Sequence, residues 1–298
     1  MLCFCTAVLL ALVGACSGRQ QPTADAALVA DILHPALGET SGLARSIRHS
    51  DRLWAHNDSG GAAALHAFDV DGSVHGSVQL ADASNMDWED LASFERDGRA
   101  WLLVGDIGDN FAIRPVVTLY LLEEPELVDD THRTTGPVRK IRFRYPGGAR
   151  DAEALAVDAA RNEALILSKR DIPAVLYSVS LDVREGVIQT AKQLGPVITV
   201  PQPSAADIER APQALDWYWQ PTAMDISGDR LAILTYRGLY LYTKARDGEW
   251  PDALDAVPRA FALGDVGEAE AVAFDRSGRR LFVTVERNYP PLYAFDVE

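Results

Sequence analysis

Apolar and polar positions recur along this chain in one fixed order, five times over. Each recurrence opens on a short motif of polar or acidic residues alternating into small and branched apolar ones. The five are Glu39-Thr40-Ser41-Gly42-Leu43-Ala44, Asp87-Trp88-Glu89-Asp90-Leu91-Ala92, Asp151-Ala152-Glu153-Ala154-Leu155-Ala156, Gln220-Pro221-Thr222-Ala223-Met224-Asp225 and Glu268-Ala269-Glu270-Ala271-Val272-Ala273. Roughly ten residues later comes a denser apolar run, such as Trp101-Leu102-Leu103-Val104 or Leu231-Ala232-Ile233-Leu234, often after a tight Asp-Gly or Ser-Gly turn (Asp97-Gly98, Ser227-Gly228, Ser277-Gly278). A third segment follows each time, as in Leu119-Tyr120-Leu121-Leu122 and Leu292-Tyr293-Ala294-Phe295. The periods are those of strands, and no alternating helical pattern accompanies them.

The third motif residues, Ser41, Glu89, Glu153, Thr222 and Glu270, are spaced by 48, 64, 69 and 48 positions. A repeat of that length with three to four strands predicts an all-β fold, a β-propeller with five blades visible. Fourth strands are legible as Ser77–Leu80 and Val138–Phe143. The last repeat ends without one, so Leu28–Leu33 is expected to complete it and close the ring, leaving no open edge. A sixth blade fits only if the long segments after Arg114 or Val179 fold as degenerate blades. Pro203–Trp219 reads as an insertion with a short helix over Ala205–Arg210, and Trp217-Tyr218-Trp219 as rim packing or a stacking platform.

The N-terminus has a different character. Leu2–Val13 is almost wholly apolar, too short to span a bilayer, and leads into Val13-Gly14-Ala15-Cys16. This resembles the lipobox of bacterial lipoproteins, which implies a signal peptide over 1–15, lipidation of Cys16, a tether over 16–27 and a single propeller domain over 28–298. The other cysteines, Cys3 and Cys5, lie before the anchor, so the propeller is expected to hold without disulfides. Ser17 rather than Asp follows Cys16, which by the same resemblance favours the outer membrane, facing the periplasm. Of the 298 residues 43 are acidic and 28 basic, a formal charge of −15. That excludes nucleic acid as a partner and leaves the lipid as the only membrane contact.

First strands of propeller blades line the central channel, so equivalent motif positions converge there as rings. One ring is Glu39, Asp87, Asp151, Gln220 and Glu268; the next, two residues on, is Ser41, Glu89, Glu153, Thr222 and Glu270. Seven carboxylates near one axis either raise one another's pKa or recruit a cation, and an oxygen-only donor set suits calcium before zinc or copper. The alternative is that these acids cap strand ends and bond neighbouring amides and basic groups. After the second strands, Arg170, Arg237 and Arg287 fall at one repeat position beside Asp58, placed either to hold a ligand's phosphate or carboxylate or to neutralise nearby acids. His56, close to Asp58, is a general-base candidate or a hydrogen-bonded structural residue, and Glu153 is the carboxylate expected to activate water.

The Ser-Gly-Leu and Glu-Ala-Leu-Ala openings, with Asn57-Asp58-Ser59-Gly60 and Gly105-Asp106-Ile107-Gly108-Asp109-Asn110, resemble bacterial propeller lipoproteins and, more distantly, phytase-like esterase and gluconolactonase/regucalcin propellers. The resemblance implies a metal in the channel and fixes no activity. The expectation is a calcium-binding propeller taking a small anionic or sugar-like ligand at the channel mouth, as a binder or a metal-dependent hydrolase. Its rival is a non-catalytic assembly module with structural calcium that docks a protein partner.

Overall fold

A computed structural model describes residues 26–298 apart from 128–130, 203, 211–218 and 265. The expected signal peptide, Cys16 and the expected tether up to residue 25 lie outside the described residues, as do Pro212, Trp217 and Tyr218. In chain order the strands are β1 (Ala27–Asp31), β2 (Thr40–Arg45), β3 (Arg52–Asn57), β4 (Ala64–Asp69), β5 (Val74–Ala81), β6 (Trp88–Arg96), β7 (Arg99–Asp106), β8 (Val117–Glu123), β9 (Thr131–Pro137) and β10 (Arg139–Arg144). They continue with β11 (Ala152–Asp158), β12 (Glu163–Ser168), β13 (Val175–Ser180), β14 (Ile188–Thr190) and β15 (Lys192–Pro196), then helix α1 (Ala205–Arg210), where a helix was expected. The chain ends on β16 (Pro221–Ser227), β17 (Arg230–Thr235), β18 (Gly238–Thr243), helix α2 (Trp250–Leu254), β19 (Arg259–Ala262), β20 (Ala269–Phe274), β21 (Arg280–Val285) and β22 (Pro291–Asp296).

These strands form five sheets, each opening on one of the five motifs: β2, β6, β11, β16 and β20 are the innermost strands of a five-bladed propeller. β1 pairs antiparallel with β22, with Ala27 opposite Ala294 and Asp31 opposite Pro291, so the N-terminal strand closes the fifth blade. No sixth blade exists among the described residues. The extra length goes elsewhere: β9 adds in parallel outside β5, and β14 outside β10, giving the first and second blades a fifth strand drawn from the following repeat. No helix among the described residues is long and apolar enough to cross a membrane.

The dense apolar runs have a direct cause. A second strand is covered on both faces by neighbouring blades, so both of its side-chain sets are buried and the polar half of the alternation disappears. In β17, Leu231 and Ile233 pack toward the third blade while Ala232 and Leu234 pack toward the fifth. In β7, Leu102 and Val104 face the first blade while Leu103 faces the third. The result is five apolar clusters, one between each pair of adjacent blades.

Innermost strands pair on one side only, which leaves their axial amides to be satisfied by other groups. Asp90, fully buried, does this for three blades at once. Its Oδ1 accepts from its neighbour's amide, Leu91, at 2.8 Å, and its Oδ2 from Leu155 at 2.7 Å and Met224 at 3.0 Å. Asp225 repeats the device on a smaller scale, accepting from Ile226 at 2.8 Å and Phe274 at 2.7 Å. Ser41 Oγ donates to the Glu89 carbonyl at 2.7 Å and Thr222 Oγ1 to that of Ala269 at 2.8 Å. Burial holds the Asp90 pKa well above the usual carboxylate range, although the three amides pull it down.

Removing a buried acceptor strands its donors at about 1–3 kcal/mol each, against a total domain stability of about 5–15 kcal/mol. Asp90→Ala should therefore cost at least about 3 kcal/mol in urea denaturation, and Asp90→Asn less, since its amide oxygen still accepts. An Asp90→Ala protein unfolding at the wild-type urea midpoint would show that the axial amides need no such acceptor.

Candidate functional site

The pairing of first with second strand slips at the same place in every blade. The register jumps between Thr40 and Gly42, Trp88 and Asp90, Ala152 and Ala154, Pro221 and Ala223, and Ala269 and Ala271. The skipped residues are Ser41, Glu89, Glu153, Thr222 and Glu270, so the inner ring sits on five equivalent β-bulges. A bulge leaves its extra residue out of the ladder and re-aims its side chain. The simple two-residue alternation expected from the sequence is thus corrected: bulges place these side chains, three acids and two hydroxyls.

Around Glu89 the carboxylates crowd. One oxygen each from Asp58, Asp87 and Glu89 lies within 4.8 Å of the others, and the same holds for Glu89, Asp151 and Glu153. Gly108 makes room for this: a Cβ there would stand 2.0 Å from Glu89 Oε1 and 2.6 Å from Asp87 Oδ2. Asp58 Oδ1 and Glu153 Oε2 are buried without a hydrogen-bond partner. Desolvation, reinforced by Glu153, Asp58 and Asp87, pushes the Glu89 pKa well above the usual carboxylate range. Desolvation and the neighbouring Asp58 lift Asp87 to about 6, and desolvation lifts Glu153 to about 7 despite a cation beside it.

That cation is Lys169. Its Nζ is ion-paired to Glu153 Oε1, stands 3.4 Å from Tyr236 Oη and lies 5.5 Å from the centre of the Tyr236 ring. Tyr236 in turn donates to Glu270 Oε1 at 2.6 Å. Asp151 is engaged on both oxygens, accepting from the Asp109 amide at 2.8 Å and from Arg170 Nε at 2.6 Å. Arg170 also donates to Asn110 Oδ1.

Several sequence-based expectations move. Glu39 and Glu268 stay exposed at the rim, outside both triads, and reach the site through their charge alone, both on Glu286, Glu39 also on Asp58 and Glu268 also on Tyr236. Asp58, expected to face a ligand, joins the acids. Arg170, Arg237 and Arg287 do not occupy Asp58's blade position. The amides of Asp58, Lys169 and Glu286 donate to the carbonyls of Glu39, Asp151 and Glu268, so these three are equivalent. Gly108 takes this place in the second blade, its amide donating to the Asp87 carbonyl, and Tyr236, following Thr235 as Lys169 follows Ser168, takes it in the fourth; the arginines lie one residue further out with exposed side chains. His56 is fully buried, its ring T-stacked on Trp88 at 5.3 Å and closing over Gly42, with burial lowering its pKa to about 4. It is a packing residue with no exposed edge to meet a substrate. The Asp106/Asp109 segment spends its acids on itself: Asp109 accepts from the amides of Ile113 at 2.9 Å and Arg114 at 2.7 Å, and Asp106 pairs with Arg114 at 2.6 Å. Lys169, Tyr236 and Asp90 were missed as site residues. Their signal was present in the repeat, as departures from the residue types at equivalent positions.

No family model matches the chain, and no curated protein matches it in sequence. Among solved structures it is similar to a glutaminyl cyclase from Myxococcus xanthus at 12% identity and a TM-score of 0.49, over 92% of this chain and 97% of that one. A gluconolactonase from Xanthomonas campestris aligns over 90% of this chain and 88% of its own at 14% identity and a TM-score of 0.45. A luciferin-regenerating enzyme does so over 87% and 92%, at 11% identity and a TM-score of 0.47. These are β-propellers, and the likeness is one of architecture alone.

The raised pKa of Asp87 has a definite sign. A folded value of about 6 above an unfolded one near 4 means its contribution is fully present below about pH 4 and is lost as pH rises through about 6. In chelator, Asp87→Asn should gain melting temperature relative to wild type between pH 4 and pH 7. Buried His34, His56 and His66, whose pKa values are lowered, are common to both proteins and cancel in the difference. A difference that stays flat with pH would mean the Asp87 carboxylate is not under strain.

Proposed function

We propose that this chain is a cation-dependent ligand-binding β-propeller, whose basin at the channel mouth holds a hard divalent cation, calcium foremost, and takes a small anionic or sugar-like ligand. The observation that carries the reading is the pair of carboxylate triads sharing Glu89, with Asp58 Oδ1 and Glu153 Oε2 buried and unpartnered. Desolvated carboxylate oxygens without donors are costly, and an all-oxygen set with a glycine clearing space beside it suits a calcium-like ion. Asp58, Asp87 and Glu89 would be its protein ligands. Bound there, the cation would polarise a phosphoryl or ester oxygen of the ligand. Arg287, exposed on the rim, would meet a ligand's negative charge, with Arg237 exposed on a neighbouring blade. Hydrolysis of a phosphoester or ester is the enzymatic form of this proposal, with Glu153, whose Oε2 is unpartnered, as the carboxylate that would activate water.

One observation favours the rival, a protein-docking module. Met86, Phe111, Ile113, Ile172 and Tyr289 are all solvent-exposed and all lie on loops at the same end of the blades as the acids. Such an apolar collar around a polar basin fits a protein surface.

Lipid anchoring at Cys16, on the periplasmic side of the outer membrane, belongs to the same proposal. Its support is the Leu2–Cys16 sequence together with the path of β1. That strand runs toward the acidic end, Asp31 lying opposite Pro291, so the chain enters the propeller from the far face. A tethered propeller would then turn its basin away from the bilayer.

Calcium should raise the melting temperature and a chelator lower it, a ligand at a hundred times its Kd stabilising by about 2.7 kcal/mol. Glu89→Gln should lose that response while remaining folded. A panel of phosphomonoesters and lactones assayed with calcium then separates a binder from a hydrolase. Melting curves indifferent to calcium and chelator would defeat the cation reading. For the anchor, Cys16→Ser should shift the protein from the membrane to the soluble fraction or leave it unprocessed, since the acidic domain has no attraction of its own for anionic lipid. Unchanged fractionation and mature mass would remove the lipoprotein proposal.

A further inference from the structure

Lys169 occupies a blade position at which two other blades carry acids, Asp58 and Glu286. It is 93% buried, with its ammonium facing into the ring rather than out to solvent. There it pairs with Glu153 and lies within electrostatic reach of Glu270 and Glu89, while Tyr236 bridges it to Glu270. The two triads that share Glu89 are therefore unequal. In one, Glu153 is paired with Lys169 and Asp151 with Arg170. In the other, among the described residues, no lysine or arginine forms an ion pair with Asp58, Asp87 or Glu89, although Arg114 lies close enough to act on Asp87.

We infer that Lys169 is a built-in counter-ion that takes the place of a second cation, so that the basin has room for one divalent ion, at Asp58, Asp87 and Glu89. The inference deepens the cation reading above and depends on the same basin. It has a physical basis beyond charge counting. An ammonium is a compact donor with three hydrogens and matches several carboxylate oxygens as a small cation does. Glu153, 5% exposed, keeps one oxygen without a partner even with Lys169 in place, so removing the ammonium leaves a buried carboxylate with both oxygens unpartnered, grouped with Glu89 and Asp151. A buried carboxylate left in that state must take up a proton or a metal ion.

The experiment is calcium titration by calorimetry on the full chain, for wild type, Lys169→Met and the double variant Lys169→Met/Glu153→Gln. Wild type should bind one ion, Lys169→Met two, and the double variant one again, because the neutral amide no longer demands compensation. Asp58→Asn should abolish the wild-type ion, whereas Glu270→Gln should change its affinity by less than about threefold, the locations of the two halves being different. If Lys169→Met is unstable in chelator, calcium should restore its cooperative melting; a variant that stays unfolded in millimolar calcium overturns the inference. So does a stoichiometry that Lys169→Met leaves unchanged, or a wild type that already binds two. A wild type that binds none while Lys169→Met binds one would defeat the cation reading and uphold the counter-ion. None in either would defeat both.

Discussion

Everything at the centre of this molecule follows from one unmet requirement: five innermost strands bring their unpaired edges to a common axis. Elsewhere in the blades each strand has a neighbour, and amides and carbonyls are consumed in ladders. On the axis there is no further strand, and burial forbids leaving the groups bare. Side chains must stand in for the missing ladder. Asp90 ties the inner strands of the second, third and fourth blades into one hydrogen-bonded unit, Asp225 links the fourth to the fifth, and the Ser41 and Thr222 hydroxyls bridge the first blade to the second and the fourth to the fifth. Acidic and hydroxylic residues at the axis are thus structural before they are functional.

The five bulges convert that structural necessity into a site. By lifting one residue per blade out of the pairing pattern they free its side chain from packing between blades. Where that residue is Ser or Thr, it is used to staple neighbouring blades; where it is Glu, it adds charge that the axial amides no longer absorb. The acids therefore differ with depth. Those next to the ladder, Asp90 and Asp225, are satisfied by backbone amides. Those on the bulges and just outside them, Glu89 and Asp87 with Asp58, have fewer donors than oxygens; burial raises their pKa values as it does those of Asp90 and Asp225, and neighbouring carboxylates raise them further with no backbone amides to offset them at Glu89 and Asp87.

Much of this was legible in the sequence, and the reason is the repeat. Five copies of one strand order make five blades visible, and a last repeat that lacks a fourth strand points to β1 as its completion. The motif positions converge because the blades are related by rotation, so ring membership can be read without any contact being known. What escaped is what breaks the repeat. The parallel outer strands β9 and β14 carry little apolar signal, being exposed or half-exposed, and so the long spacings remained open between insertions and a sixth blade. Bulges are invisible to a period-two pattern, and one residue of slip moved the arginines into a position that Lys169, Tyr236 and Glu286 actually occupy. His56 looked chemical beside Asp58, but β3 ends at Asn57 between them, so the strand's alternation does not carry on to Asp58: Asp58 joins the acids around Glu89 while His56 packs against Trp88.

The asymmetry of the ring is itself a physical outcome. Two unit charges 5 Å apart repel by about 3 kcal/mol at an effective dielectric constant of about 20, so five identical acids at one level of a narrow channel would cost more than a domain's whole stability. A propeller with equivalent blades cannot carry equivalent acids. This chain resolves the conflict blade by blade, with hydroxyls at Ser41 and Thr222, a phenol at Tyr236 that donates to Glu270, and an ammonium at Lys169 that pairs with Glu153. Each departure removes repulsion on its own side of the ring. What is left over collects where no departure was made, around Asp58, Asp87 and Glu89, and that residue of unbalanced charge is what gives a nearly symmetric fold one distinct place to bind.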